Sequence, residues 1–154
     1  MHWNFGKWQI VYRDKDESYA IESNGENKVA PKEGDLISLG CYIGKRGFFL
    51  NIFDLQASKR NGGSIELAAV SDLGNGTRIR FRTSAESGTL GIGRTPDEDA
   101  AYPNDMVQFV GILKHVDKKF GIEFGGKSMT FDVAGLTPGL IQLSQYCGES
   151  VPGW

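Results

Sequence analysis

Gly34-Asp35-Leu36-Ile37-Ser38-Leu39 has a counterpart further along the chain, Asn104-Asp105-Met106-Val107-Gln108-Phe109. A proline precedes each stretch, Pro31 in the first case and Pro103 in the second. A similarity that recurs about seventy residues apart is typical of a repeated structural unit. The two stretches therefore predict two copies of one β unit, each organised around the same strand.

Other segments recur in the same order along the chain. The matched segments are Gly6–Tyr12 with Gly76–Thr83, Tyr19–Ile21 with Leu90–Ile92, Phe49–Ile52 with Phe120–Ile122, and Gly62–Val70 with Gly125–Val133. Repeat one is predicted at about 6–75 and repeat two at about 76–139, inside a single domain of residues 1–154. Gly139–Tyr146 resembles the opening strand, so a closing strand is predicted within 140–154.

The predicted elements are all strands. Ile37, Leu39, Cys41 and Ile43 recur at every second position, which places them on one buried face of a strand. Short polar turns with glycine favour antiparallel neighbours, and Gly and Pro interrupt every window long enough for a helix. The predicted fold is all-β and antiparallel, with about ten or eleven strands from two tandem repeats of about 65–70 residues. Because sheet edges are normally protected, a closed barrel or a two-sheet sandwich is favoured, with a β-trefoil as the alternative.

Composition limits the partners and the location. A formal net charge of −2 makes nucleic acid an unfavourable partner. The longest apolar runs fall short of the roughly 18 residues that a membrane-spanning helix needs, so no membrane insertion is predicted. The first residues lack the pattern of a secretory signal, so a cytoplasmic location is predicted, with a virion-associated protein as the alternative. Cys41 is expected to be an inert buried thiol, and whether it bridges to Cys147 is left open.

The two longest predicted loops, at 23–33 and 95–104, occupy the same place in each repeat. Loops held by a rigid scaffold are common ligand sites. The predicted ligand-binding residues in these loops are Asn24, Glu26, Asn27, Asp97, Asp99 and Tyr102. The second loop is acidic but lacks the spacing of a calcium-binding loop, so no metal is predicted.

Three arginines, Arg78, Arg80 and Arg82, alternate along one predicted strand, with Arg94 further on. Guanidinium groups in a row suit an anion or an acidic partner. The alternative is a solvated face paired with cross-strand acids such as Glu66.

Two patterns suggest chemistry that their context does not support. Residues 121–128 match G-x-x-x-x-G-K-S, but a strand-like segment follows where a phosphate-binding loop needs a helix, so a hairpin without a cofactor is predicted. The best catalytic arrangement would place His115 opposite Asp35 or Asp105. Trp3, Trp8 and Trp154 lie near the chain ends, where they either pack or form an interface.

These observations favour a non-catalytic binding module for a carbohydrate or a protein ligand. The alternatives are a structural or assembly protein, such as a virion or tail component that forms a homo-oligomer, and a small hydrolase-type enzyme. No cofactor is predicted.

Overall fold

The structure, a computed structural model, describes residues 2–25, 36–53, 65–86, 89–95, 103–124 and 127–154. The strands are β1 His2–Phe5, β2 Trp8–Arg13, β3 Ser18–Asn24, β4 Leu36–Tyr42, β5 Phe48–Phe53, β6 Ile65–Asp72, β7 Arg78–Glu86, β8 Thr89–Thr95, β9 Lys119–Phe124 and β10 Lys127–Asp132. The helices are α1 Pro103–His115 and α2 Leu136–Cys147.

The strands follow the order β1-β2-β3-β4-β5-β8-β7-β6-β9-β10, and every neighbouring pair is antiparallel. The first five strands therefore form a meander, whereas β6 is inserted between β7 and β9. The prediction of an antiparallel all-β domain is confirmed. The described strands do not close into a barrel, and their two halves pack in a sandwich-like arrangement over a shared core.

The two halves meet where β2 faces β9 and β10. The Trp8 indole lies 6.3 Å from the Phe120 ring, centroid to centroid. Its Nε1–H donates a hydrogen bond of 2.8 Å to the carbonyl oxygen of Asp132. The backbone N–H of Lys7 donates to the carbonyl of Ala134 at 2.8 Å. Trp8 therefore packs in the core, one of the two roles that its position predicted.

The strand predicted at Asn104–Phe109 is wrong, because this segment belongs to helix α1. Met106, Phe109, Val110 and Leu113 are buried, and their spacing of three and four residues is that of one helix face. Pro103 is the first helical residue, where its missing N–H costs no intrahelical hydrogen bond. The match to the Asp35 stretch therefore does not extend to secondary structure.

The closing strand predicted within 140–154 is also wrong, because Leu136–Cys147 forms helix α2. Gly135 precedes the helix with a φ of 89°. Gly139 lets the helix lie close against β3, since a Cβ there would clash with Cδ1 of Ile21. In their described parts, the other matched segments contain strands in both copies, and the duplication itself stays a prediction.

One buried face of the first half matches the predicted core row. Ile37, Leu39 and Cys41 are buried, whereas Ile43 is 46% exposed because β4 ends at Tyr42 and a turn follows. Cys41 is bonded to Cys147, with the two Cα atoms 6.1 Å apart. The expectation of a free Cys41 thiol is therefore wrong, and the disulfide ties β4 to the last residue of α2.

Candidate binding sites

The predicted loop residues are mostly outside the described ranges. Asn24 is the last residue of β3 and is exposed. Glu26, Asn27, Asp97, Asp99 and Tyr102 lie outside the described residues. A site shared by the two loops therefore stays a prediction, and only the base of the first loop is described.

Arg78 and Arg80 lie on the outward face of their strand, as the alternation along the sequence predicts. Arg78 and Arg80 are exposed, whereas Ile79 between them packs against the core. Nη2 of Arg78 lies 2.7 Å from Oε2 of Glu123, and both side chains are about half exposed. The described acid that pairs with this arginine therefore comes from β9, and the backbone of Glu66 is in register with Thr83.

The other two members of that predicted patch have described backbones. Arg82 lies in β7, in register with Leu67, and Arg94 lies in β8, in register with Phe49. An anion or partner site at these arginines stays a prediction, because the observed ion pair at Arg78 is what a solvated face also produces.

The phosphate pattern and the pairing of Asp105 with His115 find no support in the described residues, and Asp35, the other candidate partner of His115, lies outside them. Lys119–Phe124 and Lys127–Asp132 pair as antiparallel strands, so a strand follows the glycine-rich segment, as predicted. Asp105 and His115 lie ten residues apart on helix α1. At the rise of an α-helix their backbones are about 15 Å apart along the axis, so the catalytic pairing of these two residues is wrong.

A row of polar residues crosses the four strands β2, β3, β4 and β5. Gln9 is in register with Glu22, Glu22 with Ser38, and Ser38 with Asn51. Because side chains alternate along a strand, this polar row lies on the face opposite Ile21 and Leu39. Asn24 lies two residues beyond Glu22 and shares that face. The polar row therefore lies at the base of the first predicted ligand-binding loop.

Glu22 is the unusual member of the polar row, because it is only 2% exposed. Its Oε1 oxygen contacts Nη2 of Arg13, whose side chain is 42% exposed, and that contact is an ion pair. Oε1 nevertheless has no hydrogen-bond partner of good geometry among the described residues. Burial raises the pKa of Glu22, and the Arg13 guanidinium offsets only part of this rise.

We expect Glu22→Gln to flatten the pH dependence of stability. The folded-state pKa lies above the ordinary value of 4.5, so stabilisation by Glu22 is complete below the unfolded-state pKa and is lost as pH rises through the folded-state pKa. The variant removes this loss, and Arg13 is exposed enough to be hydrated. At pH 8 it should therefore be more stable than the wild type by about 1 kcal/mol.

Urea unfolding between pH 4 and 8 measures this difference, and Glu123→Gln is the matched control. The Glu123 carboxylate is also paired with an arginine but is 49% exposed, so its loss should change stability little at any pH. A Glu22→Gln variant that keeps the wild-type pH profile would contradict the assignment.

A shallow groove of about 440 Å³ lies between the end of α1, the start of α2 and the C-terminal residue Trp154. Lys114 and Lys118 line it together with Asp117 and Asp132. The Asp132 carboxylate already accepts the N–H of Ala134 at 2.8 Å. The groove has the volume of a small-ligand site, but its charges are of both signs and select no chemical class of ligand.

Four partly buried aromatic side chains lie together beside the C-terminal end of α2. This aromatic strip consists of Trp3, Tyr12, Tyr19 and Tyr146. Ring centroids are 5.0 Å apart for Tyr12 and Tyr19, 4.9 Å for Tyr19 and Tyr146, and 5.1 Å for Trp3 and Tyr146. By strand alternation the strip lies on the opposite face of the sheet from Glu22.

Sequence reasoning missed the polar row and three of the four aromatic residues. Of the four, the sequence pattern indicates Trp3 alone as a residue that packs or forms an interface. The available signal was the alternation of Tyr19, Ile21 and Ser23 with Ala20 and Glu22 within β3, which puts a carboxylate in the middle of a strand. Which other strands would flank that carboxylate depends on the sheet order.

Comparison with known proteins gives no assignment: no family model, curated protein or solved structure matches the chain. Within the described ranges, no group of three or more His, Cys, Asp or Glu side chains is placed to hold a metal ion. The helices of that part of the chain are too short or too polar to cross a membrane.

Proposed function

We propose that the protein is a non-catalytic binding module whose ligand site is built on the polar row at the base of the first long loop. The observation that carries this proposal is the Glu22 carboxylate, which is 2% exposed in the middle of the polar row and whose described partner is the ion pair with Arg13. Burying an ion costs several kcal/mol, and its replacement by a neutral group is often stabilising. A residue of this kind in a polar setting is a candidate for function.

The chemistry of the polar row suits a carbohydrate. Glu22 offers carboxylate acceptors, Gln9 and Asn51 offer amides that both donate and accept, and Ser38 offers a hydroxyl. Gln9 and Asn51 are partly exposed and flank the buried pair, so they are the members that meet a ligand first. A sugar presents hydroxyl groups that donate to the carboxylate and accept from the amides.

The disulfide bears on where such a module works. Bonds of this kind form and persist in oxidising environments and are rare in the cytosol. The Cys41–Cys147 bond therefore supports an extracellular or comparably oxidising location in place of the predicted cytoplasmic one.

A glycan array with the wild-type protein, followed by calorimetry on the best glycan, tests the proposal. We expect Glu22→Gln to weaken glycan binding tenfold or more, because hydrogen bonds to a charged group contribute about 1.5–3 kcal/mol. Since the same variant should be at least as stable as the wild type, weaker binding would not reflect unfolding.

Glu123→Gln again serves as the control and should bind like the wild type. No bound glycan, or a Glu22→Gln variant with unchanged affinity, would refute the assignment of the site.

A further inference from the structure

We propose that the aromatic strip is a second, independent docking surface, and that it binds a protein partner that places an arginine or lysine side chain against Tyr12. This surface lies on the other face of the sheet from the polar row and does not depend on the proposed carbohydrate site.

The strip has the composition and exposure of a protein interface. Trp3, Tyr12, Tyr19 and Tyr146 are all partly exposed. Ile43, which follows Tyr42, is 46% exposed. Its N–H donates to the Glu17 carbonyl at 2.8 Å, in the turn between β2 and β3. Tryptophan and tyrosine are enriched among the residues that dominate binding energy at protein interfaces.

Ring stacking within the strip favours a protein over a sugar. The Tyr19 and Tyr146 rings are stacked on each other at an interplanar angle of 15°. Trp3 and Tyr12 lie against these two rings at 5.1 and 5.0 Å. The central rings thus use their faces internally, whereas a sugar stacks on an open ring face. The outer rings Trp3 and Tyr12 still present edges and one side to a partner.

Charge at one end of the strip selects a cationic group. The β2–β3 turn next to Tyr12 contains Asp14, Asp16 and Glu17 with Lys15 as its only cation. Partial burial together with the charges of Asp14 and Glu17 raises the pKa of Tyr12, so its phenol stays protonated. An arginine or lysine over the Tyr12 ring gains a cation–π contact and lies beside these carboxylates.

The turn after β4 carries the cations Lys45 and Arg46 and lies beside the acidic turn, where the N–H of Ile43 donates to the Glu17 carbonyl. Nζ of Lys45 lies 5.6 Å from the centre of the Tyr42 ring. Tyr42 is adjacent in sequence to Cys41 and so points to the opposite face of β4. The cation on the partner is therefore expected at the Tyr12 end of the strip.

The strip is also held in place before binding. Tyr146 is followed directly by Cys147, whose disulfide fixes the end of α2 to β4. Glu149 accepts the N–H of Gly47 at 3.0 Å, which ties the residues after the helix to the next turn. Surface aromatics that are ordered in the free protein lose less conformational entropy on binding.

Two matched peptides test the proposal on the intact protein. One carries two arginines flanked by leucine and proline, and the other replaces each arginine by citrulline, which has the same shape without the charge. We expect the arginine peptide to bind at micromolar to low millimolar concentration and to shift the NMR signals of Tyr12 and Trp3. The citrulline peptide should bind about tenfold more weakly.

Surface variants then separate the contributions. Asp14→Asn with Glu17→Gln should reduce binding of the arginine peptide about tenfold, whereas Asp117→Asn, an exposed acid elsewhere, should leave it unchanged. Trp3→Ala should weaken binding of both peptides.

Equal binding of the two peptides, or binding that shifts no signal of the strip, would overturn the proposal. The absence of binding by either peptide at millimolar concentration would overturn it too. Glu22→Gln should bind the arginine peptide like the wild type, so failure of the carbohydrate site and failure of this surface are distinguishable.

Discussion

We expect the replacement of both Cys41 and Cys147 by alanine to lower the free energy of unfolding by about 4 kcal/mol. The bond closes a loop with a sequence separation of 106 residues. A cross-link over about 100 residues lowers the conformational entropy of the unfolded chain. On this account the bond stabilises the folded state by roughly 4.7 kcal/mol at 25 °C. Cys41 is buried, so its truncation also leaves a small gap in the core.

Urea unfolding of the oxidised protein, the reduced protein and the double variant measures this effect. The reduced wild type and the variant should agree closely, since both lack the cross-link. The variant should also bind the arginine peptide more weakly, because the end of α2 that carries Tyr146 is no longer tied to β4. A double variant as stable as the oxidised wild type would show that the bond does not form in solution.

The strands were predictable from sequence because their signal is local. Alternation of polar and apolar residues places Ile79 inward and Arg78 outward without knowledge of the neighbouring strand. The order of strands is not a local property. Because β6 lies between β7 and β9 in the sheet, Arg78 forms its ion pair with Glu123 of β9. The sequence of one strand alone does not predict this partner.

Neither helix is predicted from the sequence, because a short apolar segment fits both the two-residue period of a strand and the 3.6-residue period of a helix. Val107, Phe109, Gly111 and Leu113 alternate as a strand would, yet Val107 is 40% exposed while Val110 is fully buried. The helical spacing of the buried set decides between the two periods only once burial is known. In α2, Gly139 precedes the predicted closing strand as a turn glycine would, whereas in the structure it is the point at which the helix contacts Ile21.

The candidate sites were harder to predict than the fold, because each depends on which strands are adjacent. Glu22 looks like an ordinary outward residue of a half-solvated strand. Its burial follows from a second covered face of the meander, on which Ser38 and Phe49 are also buried. Likewise, the aromatic strip brings Trp3 to Tyr146, and this contact forms only because α2 packs across β1, β2 and β3.

Phe120→Ala is expected to lower the free energy of unfolding by about 3–5 kcal/mol, the usual cost of truncating a buried phenylalanine. Phe120 is 0% exposed and contacts three elements. Its ring lies 6.3 Å from Trp8 on β2, 6.4 Å from Phe109 on α1 and 5.2 Å from Phe131 on β10. It thus joins the first half of the sandwich to the second half and to a helix, so little of the resulting cavity can collapse.

Leu73→Ala is the matched control for Phe120→Ala, because Leu73 is 55% exposed in the neighbouring turn and its truncation should cost no more than about 0.5 kcal/mol. Denaturant unfolding followed by fluorescence suits the comparison, since Trp8 packs against Phe120 and reports on the junction. If the two halves shared no core, Phe120→Ala would loosen only the second half and produce a separate early transition. A single transition shifted for the whole chain is expected because Trp8, Phe120 and Phe131 belong to one buried cluster.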